Sequence, residues 1–153
     1  MRVTEASTIE QLYRETGDRL WWSLLAYTGS PEIASDAVAE AFAGALANVD
    51  AIRDPAAWVW RVAFRIATKE LRATRHRSTE PAGTYEIDDQ AMHVLGGLQR
   101  LSVSQRAVIV LFYLEDRPTK EIATMLGITP TTVSVHLHRA RQRLRSILGD
   151  DDA

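Results

Sequence analysis

The sequence contains no cysteine, which excludes disulfide bridges and metal sites built from thiolates. It has no apolar run long enough to cross a membrane and no secretory signal, so we expect a cytoplasmic protein without membrane insertion of its own. It also has no glycine-rich phosphate loop and no set of histidines and carboxylates at ligand spacing. These absences predict a chain that is not an enzyme and that uses no metal and no cofactor.

Net positive charge is missing as well, because 18 lysines and arginines face 20 aspartates and glutamates. This excludes a protein that coats nucleic acid with a uniformly basic surface, so any such contact must come from local patches. Cations are concentrated in two segments. Residues 61–77 contain six lysines and arginines against one acid, Glu70, and residues 139–145 contain four arginines and no acid. Such clusters are typical of phosphate binding.

Alternation typical of β-strands is not visible, and nearly every strong pattern is helical, which predicts an all-α fold. A capping box of Thr8 and Gln11 predicts that the first helix starts after Thr8, and Pro31 and Pro55 predict two further helix starts. Residues 76–90 lose the helical period, are polar and contain proline and glycine, as linkers do. We therefore expect two small helical modules, residues 1–75 and 91–149, joined by a linker at 76–90 and followed by an acidic tail at 150–153.

Residues 118–145 have the pattern of a helix-turn-helix motif. Thr119 is predicted to cap a short helix, Gly127 to end it, and Thr129 with Pro130 to start a longer helix. An apolar stripe on the longer helix is formed by Val133, Leu137, Ala140, Leu144 and Leu148. Its other face is polar and basic, and such a helix lies in the DNA major groove with its N-terminal residues nearest the bases. The alternative is an ordinary helical hairpin whose arginines only face solvent.

The helix predicted from Pro55 carries its cations close to one line, opposite a broad apolar arc. A solvated face whose long stems cover apolar surface is the alternative, although solvated faces usually mix charges of both signs. Most tryptophans are expected in the core or in an interface. Trp58 is the exception to test as a DNA contact, because it begins this basic helix.

The chain resembles a known family in both halves, over about residues 9–148. The C-terminal half resembles region 4 of bacterial sigma-70 family sigma factors of the extracytoplasmic-function group, and the N-terminal half resembles region 2. The matching residues in the C-terminal half are Leu98, Leu101, Gln105, Arg106, Glu121, Ile122, Ala123, Leu126, Gly127, Ile128, Thr132, Val133, Leu137, His138, Arg139, Ala140, Arg141, Leu144 and Arg145. Those in the N-terminal half are Asp36, Glu40, Ala41, Phe42, Trp58, Arg61, Ala63, Leu71 and Arg72.

This resemblance implies that the chain binds core RNA polymerase, directs it to promoter DNA for transcription initiation, and is covered by an anti-sigma factor. By position it assigns polymerase binding to Asp36, Glu40 and Phe42. Contacts with the −10 element are expected from Trp58, Arg61, Arg65, Lys69 and Arg72. Contacts with the −35 element are expected from Thr131, Thr132, Ser134, Val135, His138, Arg139 and Gln142.

The chain departs from the family pattern at a few of these positions. Ala39 replaces a usual glutamine, Arg65 a usual asparagine near a pocket for an unstacked −10 base, and Lys69 a usual aspartate. Residues 134–136 are Ser-Val-His where Lys-Ser-Arg is common. The loss of two cations predicts a shallower salt dependence of DNA binding, by about one unit of log–log slope per lost phosphate contact. The departures predict altered or weak promoter choice, with dependence on a partner as one explanation.

Two other functions remain open at this point. A stand-alone helix-turn-helix regulator would carry a phospho-acceptor or ligand-binding fold with strands in its N-terminal half. A degenerate sigma-like protein would bind protein only, and the substitutions at Ala39, Arg65 and Lys69 favour it. Val135 has two interpretations, packing against a neighbouring module or an apolar contact with a thymine methyl group.

Overall fold

The computed structural model describes residues 3–74 and 87–150, and their regular structure is entirely helical. The all-α fold class is therefore confirmed. The α-helices are α1 (Val3–Thr28), α2 (Pro31–Ala47), α3 (Pro55–Thr74), α4 (Asp89–Gln99), α5 (Val103–Ile109), α6 (Thr119–Leu126) and α7 (Pro130–Asp150). A short 3₁₀ turn spans Val49–Ala51, and a π-helical segment spans Val110–Leu114. Most of the predicted linker, and Arg75 with it, lies outside the described residues.

The chain divides into two compact units, the first holding α1–α3 and the second α4–α7. In the first unit α2 packs against both α1 and α3. Its core-facing stripe is built from small residues that are completely buried, namely Ala34, Ala37, Ala41 and Ala45. Small side chains at helical spacing let neighbouring helices approach closely. Larger side chains from the flanking helices fill the remaining space, as in the stacked rings of Tyr27 and Phe64, whose centroids are 5.5 Å apart.

Helix boundaries in this unit follow local capping chemistry. The hydroxyl of Ser30 accepts a hydrogen bond from the Ile33 backbone at 3.2 Å, and a carboxylate oxygen of Asp54 accepts one from the Ala57 backbone at 3.2 Å. The expected start of α1 after Thr8 is wrong, because α1 already begins at Val3. A capping box forms only where the cap residue is non-helical, and favourable helix formers such as Glu5 and Ala6 extend the helix through Thr8.

In the second unit, α4 is capped by Asp88, whose carboxylate accepts a hydrogen bond from the Ala91 backbone at 2.7 Å. The side chains of Ser102 and Gln105 form a capping box at the start of α5. Helix α5 ends at Ile109, and from Val110 the chain continues as the wider π-helical segment. Helix α7 packs against α4, α5 and α6.

The helix-turn-helix predicted from the sequence is present in α6 and α7. Gly127 ends α6 with a left-handed φ of 69°, and the Thr129 hydroxyl accepts a hydrogen bond from the Thr132 backbone at 3.1 Å, as expected. The predicted cap at Thr119 is wrong. Pro118 takes the N-cap position with an extended backbone, and Thr119 is the first helical residue. Proline suits this place because it donates no backbone hydrogen bond.

Candidate nucleic-acid interface

The outward face of α3 carries a row of cations, which we call the α3 row: Arg61, Arg65, Lys69 and Arg72. All four side chains are exposed. Their spacing of three to four residues places them on one line along the helix. The opposite side of α3 is buried in the first unit through Val59, Trp60, Ala63, Phe64 and Ala67. The core therefore fixes which way the row points.

The α3 row keeps most of its positive charge available. The Arg61 Nε donates to the Ala57 carbonyl at 3.1 Å, which orients that guanidinium along the helix. Across residues 3–74 and 87–150, Arg65, Lys69 and Arg72 form no ion pair with a carboxylate. Glu70 lies on the same helix and is exposed. An unneutralised line of cations is suited to the phosphates of a nucleic-acid backbone.

Trp58 is half-buried and lies against α2. A Cβ atom added at Gly44 would be only 3.0 Å from Cη2 of the Trp58 ring. The missing side chain at Gly44 thus leaves the space that the indole occupies. Trp58 holds the start of α3 on α2, and only part of its surface faces outward.

The three residues expected to contact the polymerase are placed differently from one another. Asp36 and Glu40 are exposed on α2. Phe42 is only 6% exposed, and its ring meets Tyr13 edge to face with centroids 5.1 Å apart. Its ring therefore offers little surface to a partner, because α2 turns Phe42 and Ala41 together towards the core.

Tyr13 is a large side chain at this surface that the sequence interpretation did not single out. It is 54% exposed. It lines an open groove of ≈ 480 Å³ between α1 and α2, together with Ile9, Glu10, Arg14, Ala39, Phe42, Ala43 and Leu46. The available signal was Gly17, four residues later. A Cβ atom there would lie 3.3 Å from Cδ2 of Tyr13, so glycine leaves room for the ring to lie along the helix.

The outward face of α7 contains most of the residues expected to read DNA. Thr131, Ser134, Val135, His138, Arg139 and Gln142 are all exposed. Thr132 is half-buried, and its hydroxyl lies 2.8 Å from the Thr129 hydroxyl, within the cap of the helix. Val135 is 41% exposed, so within its own unit it faces outward. The N-terminal half of this face is uncharged, and the arginines follow it.

The apolar stripe of α7 differs from its prediction at the C-terminal end. Val133, Leu137 and Ala140 are buried as expected. Leu144 and Leu148 are only half-buried, and Ile147 is the buried residue instead. Val133, Ala140 and Ile147 recur every seven residues, so the buried line keeps this spacing to the end of the helix, where Ile147 and Leu148 both lie near Gly97 of α4.

The four arginines of α7 are not equivalent. Arg139, Arg143 and Arg145 are exposed, and within the described part of the chain they form no ion pair. Arg141 is half-buried, and its Nε donates to the Tyr113 hydroxyl at 2.6 Å. Its guanidinium carbon lies 5.5 Å from the ring centroid of Phe112 and 5.4 Å from that of Tyr113. Of the four arginines clustered in the sequence, three therefore expose their charge to solvent: Arg139, Arg143 and Arg145.

Metal sites and membrane spans are not found in residues 3–74 and 87–150. No group of three or more histidines and carboxylates there could hold a metal ion. No helix within the described ranges is sufficiently long and apolar to span a bilayer. The candidate surfaces described above are the exposed basic and polar faces of α3 and α7 and the α1–α2 groove.

Comparison with known protein families gives two matches in chain order. Residues 12–77 match sigma-70 region 2, which covers most of α1–α3, and residues 94–144 match sigma-70 region 4, which covers the helix-turn-helix. The chain is 34% identical to the ECF RNA polymerase sigma factor SigL of Mycobacterium tuberculosis over 162 aligned residues. This alignment covers 95% of the chain and 92% of SigL. It is 26% identical to the ECF RNA polymerase sigma factor SigW of Bacillus subtilis, covering 93% and 88%.

Solved structures show the same fold. CnrH, in complex with the cytosolic domain of CnrY, superposes with a TM-score of 0.72 at 24% identity, over 97% of this chain and 94% of CnrH. The sigma factor RpoE of Bartonella quintana, in complex with the anti-sigma factor NepR, gives a TM-score of 0.70 at 21% identity, over 92% and 96%. These structures support the fold, and the family matches and the sequence relatives confirm the resemblance seen in the sequence. The chain belongs to the extracytoplasmic-function group of sigma-70 family RNA polymerase sigma factors.

Proposed function

We propose that this sigma factor binds core RNA polymerase through its α1–α2 surface, contacts the −10 element with α3 and reads the −35 element with α7. The observation that carries the proposal is the pair of outward faces on two separate helical units. Each face contains cations that no described carboxylate neutralises. We assign residues 1–75 and 91–149 to the two domains, with residues 76–90 as the tether. Linking two weak sites raises the effective concentration of the second at its DNA.

The polymerase-binding surface centres on Asp36 and Glu40, which are exposed on α2. Phe42 supports this surface from beneath, and Tyr13 extends it across the groove to α1. Acidic groups beside an apolar groove offer a partner both a charged rim and a place for an apolar side chain.

Contact with the −10 element comes from the α3 row. Arg61, Lys69 and Arg72 follow the phosphate backbone, and Arg65 stacks on or donates to an unpaired base. Because these contacts bind the melted strand more tightly than the duplex, they shift the equilibrium towards open DNA. The chain itself carries no catalytic residue in this proposal, and the polymerase performs the chemistry in the cytoplasm.

Contact with the −35 element comes from the N-terminal half of α7. Thr131, Ser134, Val135 and His138 face the bases, with Arg139 and Gln142 on their flank. This face has few charges, so the arginines that follow it supply the phosphate contacts. Because the solved relatives CnrH and RpoE are held by CnrY and NepR, we also propose that an anti-sigma factor covers this chain.

An open-complex assay tests the proposal. Purified protein is added to core RNA polymerase on a genomic promoter library, and unpaired bases are mapped with a single-strand-specific reagent. We expect melted sites that share one upstream element at a fixed distance. Polymerase binding without melting would favour the degenerate sigma-like protein instead. The stand-alone regulator is disfavoured, because α1–α3 contain no strand within residues 8–74.

A further inference from the structure

Arg141 is held between two consecutive aromatic side chains, an arrangement that we call the Arg141 clamp (Arg141, Phe112 and Tyr113). Both ring centroids lie within 5.5 Å of the guanidinium carbon, inside the range of a cation–π contact. The 2.6 Å hydrogen bond from Nε to the Tyr113 hydroxyl fixes the plane of the guanidinium as well. The two rings meet edge to face with centroids 5.0 Å apart. The clamp is therefore more specific in geometry than a surface ion pair.

The π-helical segment makes the clamp possible. In an α-helix two consecutive side chains diverge strongly and rarely meet the same group. At Val110–Leu114 the helix widens, and the Glu115 backbone donates to the Val110 carbonyl five residues earlier, at 3.1 Å. Single π-helical turns of this kind occur frequently at functional sites. Here the wider turn presents Phe112 and Tyr113 to the same arginine of α7.

Next to the clamp, the core contact of α7 is made by a small side chain. Between Leu137 and Ile147, the only fully buried side chain is that of Ala140. A methyl group packs well but gives little resistance to rotation of the helix about its axis. Arg141 is the next residue, and its long planar group adds the orientation that alanine lacks. The clamp therefore adds to the orientation that the buried side chains of Leu137 and Ile147 give the helix on either side of it.

We infer that Arg141 is a positioning residue for promoter recognition, holding the rotation of α7 so that Val135 and His138 face the −35 bases. The inference rests on the proposed function of α7. It separates Arg141 from the exposed arginines of the same helix, which contact phosphate. Two residues outside the recognition face, Phe112 and Tyr113, thereby determine how well the −35 sequence is selected.

The test measures holoenzyme binding to duplex promoter fragments with an intact or scrambled upstream element, over a series of salt concentrations. Arg141→Lys keeps the charge but loses the planar clamp, and Tyr113→Phe keeps the ring but loses the hydrogen bond. We expect selectivity for the intact element to fall about fivefold in Arg141→Lys and about twofold in Tyr113→Phe, with an unchanged salt slope. Arg100→Lys, at an exposed position outside the clamp, is the matched control and keeps the wild-type selectivity.

A charge-removing pair completes the experiment. Arg143→Gln is expected to lower the log–log salt slope by about one unit, whereas Arg141→Gln is expected to change selectivity and leave the slope as it is. If Arg141→Gln lowers the log–log salt slope as much as Arg143→Gln does, Arg141 contacts phosphate and the inference is overturned. Equal losses on intact and scrambled DNA also overturn it, because they indicate stabilisation alone.

The two proposals fail in different ways. If the wild-type holoenzyme binds the intact and the scrambled element equally well, α7 does not read the −35 element. Both the proposed function of α7 and the inference on Arg141 are then wrong. If Arg141→Lys keeps the wild-type selectivity for the intact element, only the inference on Arg141 is wrong. If Arg141→Lys lowers the folded fraction, Tyr113→Phe decides the result, because it removes one oxygen atom at a half-exposed position.

Discussion

The two basic helices of this sigma factor use their arginines differently. On α3 the cations form one exposed line, and the apolar residues behind them, such as Phe64, fix that line on the first unit. On α7 the N-terminal half of the outward face is uncharged, and one arginine, Arg141, contacts the rings of Phe112 and Tyr113. In the proposed function, the cations of α3 therefore act mainly through their charge. Those of α7 are divided between phosphate contact and orientation of the helix.

This difference matches the two tasks. Holding a melted strand requires a continuous favourable potential along a flexible backbone, which a line of cations provides without exact angles. Reading a duplex requires a helix fixed to within a small rotation, since base contacts are directional. A helix with few cations on its reading face depends more on correct placement, and the contact between Arg141 and Tyr113 supplies it.

Charge reversal in the α3 row is expected to have the largest effect. The double substitution Arg65→Glu and Lys69→Glu replaces two phosphate-attracting groups with repelling ones and should lower open-complex formation roughly 100-fold. Measured by mapping unpaired bases, the loss should exceed any loss of polymerase binding. Arg53→Glu, which reverses an exposed charge before α3, is the control. Normal melting by the double variant would show that the α3 row does not contact the strand.

Removal of one helix cap in each unit tests whether the two units are independent. Asp54→Ala and Thr129→Ala each delete a side-chain acceptor for a backbone N–H, with donor–acceptor distances of 3.2 Å and 3.1 Å. Each loss should cost about 1 kcal/mol of unfolding free energy. Hydrogen exchange should show faster opening in α1–α3 for Asp54→Ala, and in α4–α7 for Thr129→Ala. Faster exchange in both units from either substitution would contradict independent folding.

Much of this fold could be predicted because capping residues and apolar periodicity act locally. Gly127 and Thr129 mark the helix-turn-helix, and the residues that carried the family resemblance are the same ones that form it. The start of α1 was missed because a capping pattern can occur inside a helix that good helix formers extend. Local signals thus give the elements more reliably than their ends.

The surfaces were harder to predict, since they depend on which neighbour a side chain meets. Phe42, expected to contact the polymerase, is almost buried against Tyr13, whose own ring lies outward along α1 where Gly17 leaves room for it. Arg141 could not be separated from its neighbours in sequence. Its partners lie 28 and 29 residues earlier, and the π-helical turn that unites them has no local sequence rule.

The smallest expected effect concerns Val135, whose exposed side chain can offer a base only apolar contact. If it touches a thymine methyl group, replacing that thymine with uracil should weaken wild-type binding by about fourfold, the value of one buried methyl group at ~0.8 kcal/mol. Val135→Ser should bind both sequences with the weaker affinity, because it has no apolar contact to lose. Scanning uracil through the −35 element, with holoenzyme affinity as the measurement, locates the base. Equal effects of uracil on wild type and Val135→Ser at every position would exclude the contact, and specificity would then rest on the helix orientation that Arg141 maintains.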